Sequence, residues 1–129
     1  MENTIIVLLG DHGEEFNEFG RFAHSYSLKN VQTSTPFIMY IPGINNIDYN
    51  ITSHADVMPT IMDYIDISIP YEKIVSGKSL LNYNPNLDYA IIQECEITER
   101  PKKFLIADKD WKMEFHLSEG KIESGLENE

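Results

Sequence analysis

Asn3-Thr4-Ile5-Ile6-Val7-Leu8-Leu9-Gly10-Asp11-His12-Gly13-Glu14 is the stretch that decides how the chain is read. Thr4 to Leu9 is an unbroken run of β-branched residues and leucines, closed by Gly10. Such a run reads as a strand buried on both faces, and it is short for a helix. The polar cluster Asp11 to Glu14 then falls at the carboxyl end of that strand, where open α/β sheets place their ligand sites. Neighbouring strand residues point to opposite faces, so Asp11 and His12 can share a ligand only where the strand has ended. Gly13 suits such a break, because glycine lets the backbone approach a ligand closely.

Downstream, Phe16 to Thr35 has no clean period and is rich in Asn, Ser and aromatic residues. It reads as a functional loop with at most a short helix. Pro36 to Ile41 is a second strand, closed by the turn signal Pro42-Gly43. After an Asn-rich loop, Ser53 is a helix N-cap with Asp56 in the capping-box position. The helix carries Val57, Ile61, Tyr64 and Ile65 on one face, with Pro59 tolerated in its first turn. Ile67 to Tyr83 reads as a linker. Strands follow at Tyr89 to Ile92, Lys103 to Ile106 and Lys112 to Leu117, the last two joined by an Asp108-Lys109-Asp110 turn. The acidic tail beyond Gly120 is expected to fray. This order predicts an α/β portion followed by a small antiparallel portion.

Composition narrows the function. The 129 residues are 42% hydrophobic and 24% charged, as in a globular protein and unlike a disordered tail. A net charge of −11 argues against non-specific nucleic-acid binding. The one cysteine, Cys95, excludes an internal disulfide framework. No apolar run approaches the roughly 20 residues that span a bilayer, and Met1-Glu2 does not open a signal peptide.

Asp11 and His12 carry the sharpest chemistry, since a carboxylate and an imidazole together suit a divalent cation. Taken alone, Asp-His-Gly reads more readily as a solvated turn after a strand. His24, in the polar aromatic loop, could contact an anionic substrate or serve as an ordinary surface histidine. His54 reads as a local cap contact more readily than as a second metal site. His116 alternates with Phe115 and Leu117 and is placed on the polar face of a hairpin. Cys95 lies between Glu94 and Glu96, which disfavour a thiolate, so it reads as a small apolar residue and not a nucleophile. Trp111 and Phe104 read as packing residues, and Glu14-Glu15 as solvated charge.

Taken together, these segments resemble the sulfatase branch of the alkaline phosphatase superfamily, which includes sulfatases and the phosphoglycerol and phosphoethanolamine transferases. Asn3 to Glu14 looks like that family's strand ending in Ser-Asp-His-Gly-Glu. Glu15 to His24 looks like the loop leading to its Gly-His-Gly. Thr35 to Gly43 is similar to its Val-Pro-Leu-Ile-Ile strand and Pro-Gly turn. Ser53-His54-Ala55-Asp56-Val57-Met58-Pro59-Thr60-Ile61-Met62-Asp63 resembles its Ser-His-x-Asp-Leu-Met-Pro-Thr-Leu-Leu-Asp helix, and Gly77-Lys78-Ser79-Leu80-Leu81 its Gly-x-Ser-Leu-Leu. The resemblance covers residues 3 to 82. Several ordered blocks at compatible spacing are far more specific than one.

The resemblance implies an α/β fold: part of an alkaline-phosphatase-like sheet flanked by helices (1–85), a small C-terminal antiparallel sheet (86–120) and an acidic frayed tail (121–129). It implies a nucleophile attacking sulfur or phosphorus beside a divalent cation, Ca²⁺, Mn²⁺, Mg²⁺ or Zn²⁺, that neutralises growing charge. Asp11 and His12 would be metal ligands and His24 would contact a sulfate- or phosphate-ester substrate. The family's nucleophile and first metal carboxylates precede this block, so the chain is expected to be a C-terminal portion, inactive alone, with any membrane anchor lying upstream. Several positions depart from the pattern, among them Ser25 for the glycine after the loop histidine, Tyr26 for a frequent second histidine, Ser34 for a frequent arginine, and Gly10 for the serine before Asp11. These changes leave a competing reading, a non-catalytic regulatory or binding module. A sheet opened at Thr4 to Leu9 would expose an apolar edge, so the chain is also expected to self-associate.

Overall fold

The computed structural model describes residues 2–45, 49–67, 77–82, 84, 88–94, 103–118 and 121–127, the last segment through its backbone. The described residues build three antiparallel sheets and two short α-helices. β1 (Ile6–Leu9) pairs with β4 (Phe37–Tyr40), and β2 (Glu15–Phe16) with β3 (Phe22–Ala23). α1 (Asn30–Thr33) precedes β4, and a 3-10 turn at His54–Asp56 leads into α2 (Val57–Tyr64). β5 (Ala90–Gln93), β6 (Lys103–Ala107), β7 (Lys112–Ser118) and β8 (Lys121–Glu127) form a four-stranded sheet in chain order. This is the mixed α/β composition with a small C-terminal antiparallel sheet that the sequence implies.

The β1–β4 register places Ile6 opposite Tyr40 and Leu8 opposite Ile38. These four share one face, and they are exposed, Leu8 to 62% and Ile38 to 61%. The expectation of a strand buried on both faces is therefore corrected. Among the described residues β1 has one neighbouring strand, and the pleat turns Val7, Phe37 and Met39 to the better-covered side. Just past the ladder, the Gly10 N–H donates to the Pro36 carbonyl at 3.1 Å, extending the pairing to the start of the polar cluster.

The capping box forms as the sequence predicts. Ser53 Oγ accepts from Ala55 N at 3.2 Å, and Asp56 Oδ2 accepts from Ser53 N at 2.8 Å. Asp56 is itself buried, and its Oδ1 accepts from Lys78 N at 2.9 Å. Thr60 Oγ1 accepts from Leu80 N at 3.0 Å, and Ser79 Oγ donates to Asp63 Oδ2 at 2.5 Å. A Cβ at Gly77 would collide with the Ala55 carbonyl. The spacing of the Ser-His-x-Asp and Gly-x-Ser-Leu-Leu blocks thus has a cause: each supplies polar partners to the other. Tyr64 Oη ties α2 to the Pro42 carbonyl at 3.0 Å.

In the C-terminal sheet Leu105, Ala107 and Ala90 are buried. Asp108 Oδ1 accepts from Asp110 N (2.7 Å) and Trp111 N (2.9 Å), which makes the β6–β7 turn. Trp111 lies at that turn and is exposed, so it is not the packing residue expected; a turn tip offers no second layer to cover it. His116 is exposed beside Glu114, at 2.6 Å, on the polar face of β7 as expected. The tail expected to fray instead pairs along β7 over Lys121–Glu127. The seven-residue β7 pairs with β6 along one edge and with this segment along the other, and a ladder needs backbone groups more than it needs an apolar pattern. Cys95 lies outside the described residues.

Candidate metal centre and ester cleft

The end of β1 opens into a cleft of about 820 Å³. Its rim carries Asp11, His12 and His24, and its walls include Ser27, Thr35, His54 and residues of β5. The backbone around Asp11 to Glu14 is held from behind. Gly13 N donates to the Gln32 carbonyl at 2.9 Å, and a Cβ at Gly13 would strike the Val31 carbonyl. Only glycine fits this approach, which is the structural reason for the Asp-His-Gly pattern.

From that support, alternating residues project to the same side. His12 and Glu14 are two apart on an extended segment and reach toward His24. His24 Nδ1 lies 3.1 Å from Glu14 Oε2, and the His12 and His24 ring centroids are 3.9 Å apart. One ligand atom from each of His12, Glu14 and His24 lies within 4.8 Å of the other two. His12 Nδ1 is 2.9 Å from the Gly13 carbonyl. A carbonyl only accepts, so Nδ1 is the donor, and Nε2 of the neutral ring keeps its lone pair for an electrophile. The donor set therefore fits a divalent cation.

Asp11 turns differently. Its Oδ1 accepts from the His12 backbone N–H at 3.0 Å, and its Oδ2 lies 3.6 Å from His12 Nε2. The His12 N–H holds the fully exposed Asp11 carboxyl below the ordinary aspartate value. Asp11 thus neighbours the triad without belonging to it.

His24 is presented by unusual backbone. Ala23 has φ 108° and Ser25 φ 69°, so residues with side chains flank it on both sides in the left-handed region. These are the two glycine positions of the Gly-His-Gly pattern. The loop keeps a glycine-like path without glycine. Its far end is anchored by Glu15, 1% exposed, whose Oε2 accepts from Gln32 Nε2 at 2.6 Å. His54 Nε2 lies 3.3 Å from Thr35 Oγ1 on another wall of the cleft, a partner nineteen residues away and not the local cap contact expected.

The structure thus brings His12 and His24 together and leaves Asp11 at the margin. Glu14, Glu15 and Gln32 were not legible as site residues. Glu14-Glu15 looked like solvated charge, although the two-residue offset between His12 and Glu14 was a signal of a shared face.

Comparison with known proteins now places the chain. The family model described as Sulfatase matches residues 1–67. The chain belongs to the sulfatase family. It is 33% identical over 76 residues to the Delta 4,5-hexuronate-2-O-sulfatase of Bacteroides thetaiotaomicron, covering 55% of this chain and 16% of that protein. It is 34% identical over 83 residues to Arylsulfatase K of Canis lupus familiaris, covering 63% of this chain and 15% of that protein. The chain therefore spans about one sixth of the length of these relatives. No solved structure matches it.

Proposed function

We propose that this chain carries part of the metal and ester-binding site of a metal-dependent sulfatase-like enzyme that cleaves or transfers sulfate or phosphate esters. The observation that carries the reading is the meeting of His12 and His24, 3.9 Å between ring centroids, at the mouth of the cleft. In this reading Asp11 and His12 hold a divalent cation, and His24 contacts the anionic group of the ester. The cation would neutralise charge that grows on the ester oxygens. Gly13, pinned to Gln32, sets the turn from which Asp11 and His12 project. Ala23 and Ser25 fix the direction of His24, and the buried Glu15–Gln32 bond keeps that loop against the strand end. Similarity to two sulfatases favours the enzyme over a regulatory module. A nucleophile is not among the residues assigned here, so the chain by itself binds an ester without turning it over.

The test is an NMR titration of the chain with inorganic sulfate, inorganic phosphate and 4-nitrophenyl sulfate in the presence of Mn²⁺, Ca²⁺ or Zn²⁺. The expected result is a shift of the His24 ring resonances that disappears in His24→Ala. Shifts confined to residues away from the cleft, or robust ester turnover by the chain that Asp11→Ala abolishes, would overturn the reading as written.

A further inference from the structure

We propose that Lys78 is a positioning residue for ester recognition: from behind the cleft it pins β5 in place as a wall, and that wall holds the organic part of the ester. The proposal rests on the functional reading above for the place of the anionic group and adds where the rest of the ester goes.

The cleft is larger than its assigned anion. About 820 Å³ is a volume that encloses a whole organic ligand, well beyond a bare sulfate or phosphate. The anionic group belongs at the rim with His24, so the remaining space falls to the alcohol that carries it. Ile51, Ser53 and the β5 residues Ala90 to Gln93 line that space.

The ladder alone does not put β5 there. Among the described residues β5 pairs with one strand, β6. That pairing leaves open where the C-terminal sheet lies relative to the capping box and α2. Lys78 supplies the tie. Its backbone N–H donates to Asp56 Oδ1 at 2.9 Å, which anchors it to the capping box. Its Nζ donates to the Ile51 carbonyl at 3.2 Å and to the Tyr89 carbonyl at 3.4 Å. Ile51 is a cleft residue, and Tyr89 is the residue before β5. One ammonium thus joins two walls of the cleft without lining it. Lysine suits this place, since its ammonium offers three donors at the end of a long stem.

Charge reinforces the tie. Nζ lies 3.9 Å from Asp56 Oδ2 and 3.9 Å from Asp88 Oδ1, with the lysine side chain 12% exposed. Removing the ammonium leaves two buried carboxylates without the cation between them, which is strongly unfavourable. Asn50 Nδ2 donates to Asp88 Oδ2 at 2.9 Å, a second link between the same two segments. A wall displaced by about 1 Å is felt by the group packed against it. A small anion at the rim does not touch that wall.

The experiment is an NMR titration of the chain with inorganic sulfate and, separately, with 4-nitrophenyl sulfate, each with Zn²⁺ or Ca²⁺ present. Both anions are expected to shift the His24 ring, and 4-nitrophenyl sulfate alone to shift the amides of Ile91 to Gln93. Lys78→Met is expected to weaken 4-nitrophenyl sulfate binding about tenfold or more and inorganic sulfate binding less than about twofold. Lys78→Arg, which keeps the charge, should recover most of the loss. Tyr64→Phe, which loosens α2 away from the pin, should lower the melting temperature and leave the ratio of the two affinities unchanged. Should Lys78→Met not fold, Asp88→Asn removes one charge from the tie and carries the same expectation for the ratio. If the Ile91 to Gln93 amides stay silent while His24 shifts, the ester body lies elsewhere; the inference fails and the functional reading stands. Equal weakening of both anions by Lys78→Met, or an equal change of the ratio in Tyr64→Phe, would show a purely structural lysine and overturn the inference alone. If neither anion shifts His24, the functional reading fails and the inference with it.

Discussion

Gln32 Nε2 donates to Glu15 Oε2 at 2.6 Å, and both side chains are almost entirely out of solvent. A buried carboxylate depends on such a partner. Hydrogen bonds to charged groups contribute about 1.5–3 kcal/mol, and a buried charge left without one costs more. Gln32→Leu should therefore destabilise the chain by about 3 kcal/mol or more in urea unfolding. Glu15→Gln, which keeps an acceptor oxygen, should cost clearly less. Equal losses from the two would show that the bond is not what holds the loop.

Ser25 has φ 69°, a backbone conformation that favours glycine. A residue with a Cβ in that region is strained by roughly 1–2 kcal/mol, while glycine adds unfolded-state entropy worth about 0.5–1 kcal/mol. Ser25→Gly is expected to be neutral or to stabilise by up to about 1 kcal/mol. Ser25→Val is expected to destabilise, because β-branching worsens the same conformation. Thermal melts of both variants give the sign of each.

Asp56 joins two segments by accepting from Ser53 N and from Lys78 N. Asp56 is the third residue of the capping box, and loss of a buried charged acceptor costs about 1.5–3 kcal/mol. Asp56→Ala should lower stability by about 3 kcal/mol, read as a drop in the urea midpoint. Gly77→Ala should fail by a different route, collision with the Ala55 carbonyl.

The Asp11 carboxyl is held below the ordinary aspartate value by the His12 backbone N–H. A depressed folded value means that the interaction is fully present above the unfolded aspartate range. It is lost as pH falls through the folded midpoint. A carboxyl-carbon NMR titration should place the Asp11 midpoint below that of an unstructured aspartate. A midpoint at or above it would contradict the hydrogen bond.

The exposed face of Ile6, Leu8, Ile38 and Tyr40 makes the chain prone to self-association. Sedimentation velocity should show concentration-dependent oligomers that the double variant Leu8→Lys, Ile38→Glu reduces. A monodisperse monomer of the unmodified chain would count against this.

Much of this architecture was legible because local rules and tertiary structure agree. Ser53 and Asp56 announce a capping box, and a capping box forms. The two histidines that meet at the cleft, His12 and His24, were legible by motif. Glu14 was not, because an acidic pair usually means solvated charge, and only the turn at Gly13 reveals which way each carboxylate goes. Glu15 looks identical to Glu14 in composition yet is buried against Gln32, a partner seventeen residues away. β1 was read as covered on both faces because periodicity reports apolarity and says nothing of how many strands flank it. β8 was missed because its partner is the edge of β7, and no apolar alternation marks Lys121–Glu127.

The ladder between β1 and β4 ends at Leu9 and Phe37, one residue short of the Gly10–Pro36 bond. Asp11 and His12 are therefore carried at the tip of a ruler only four pairs long. A slip of one pair would move that tip by about 3.3 Å and turn its side chains to the opposite face. That distance is about the separation of two donors around one zinc ion. Strand register, set by a ladder of apolar residues of which Phe37 alone lines the cleft, thus fixes where the side chains after Leu9 emerge. Substitutions at Val7 or Met39 would then be felt first as lost cation affinity, before any loss of fold.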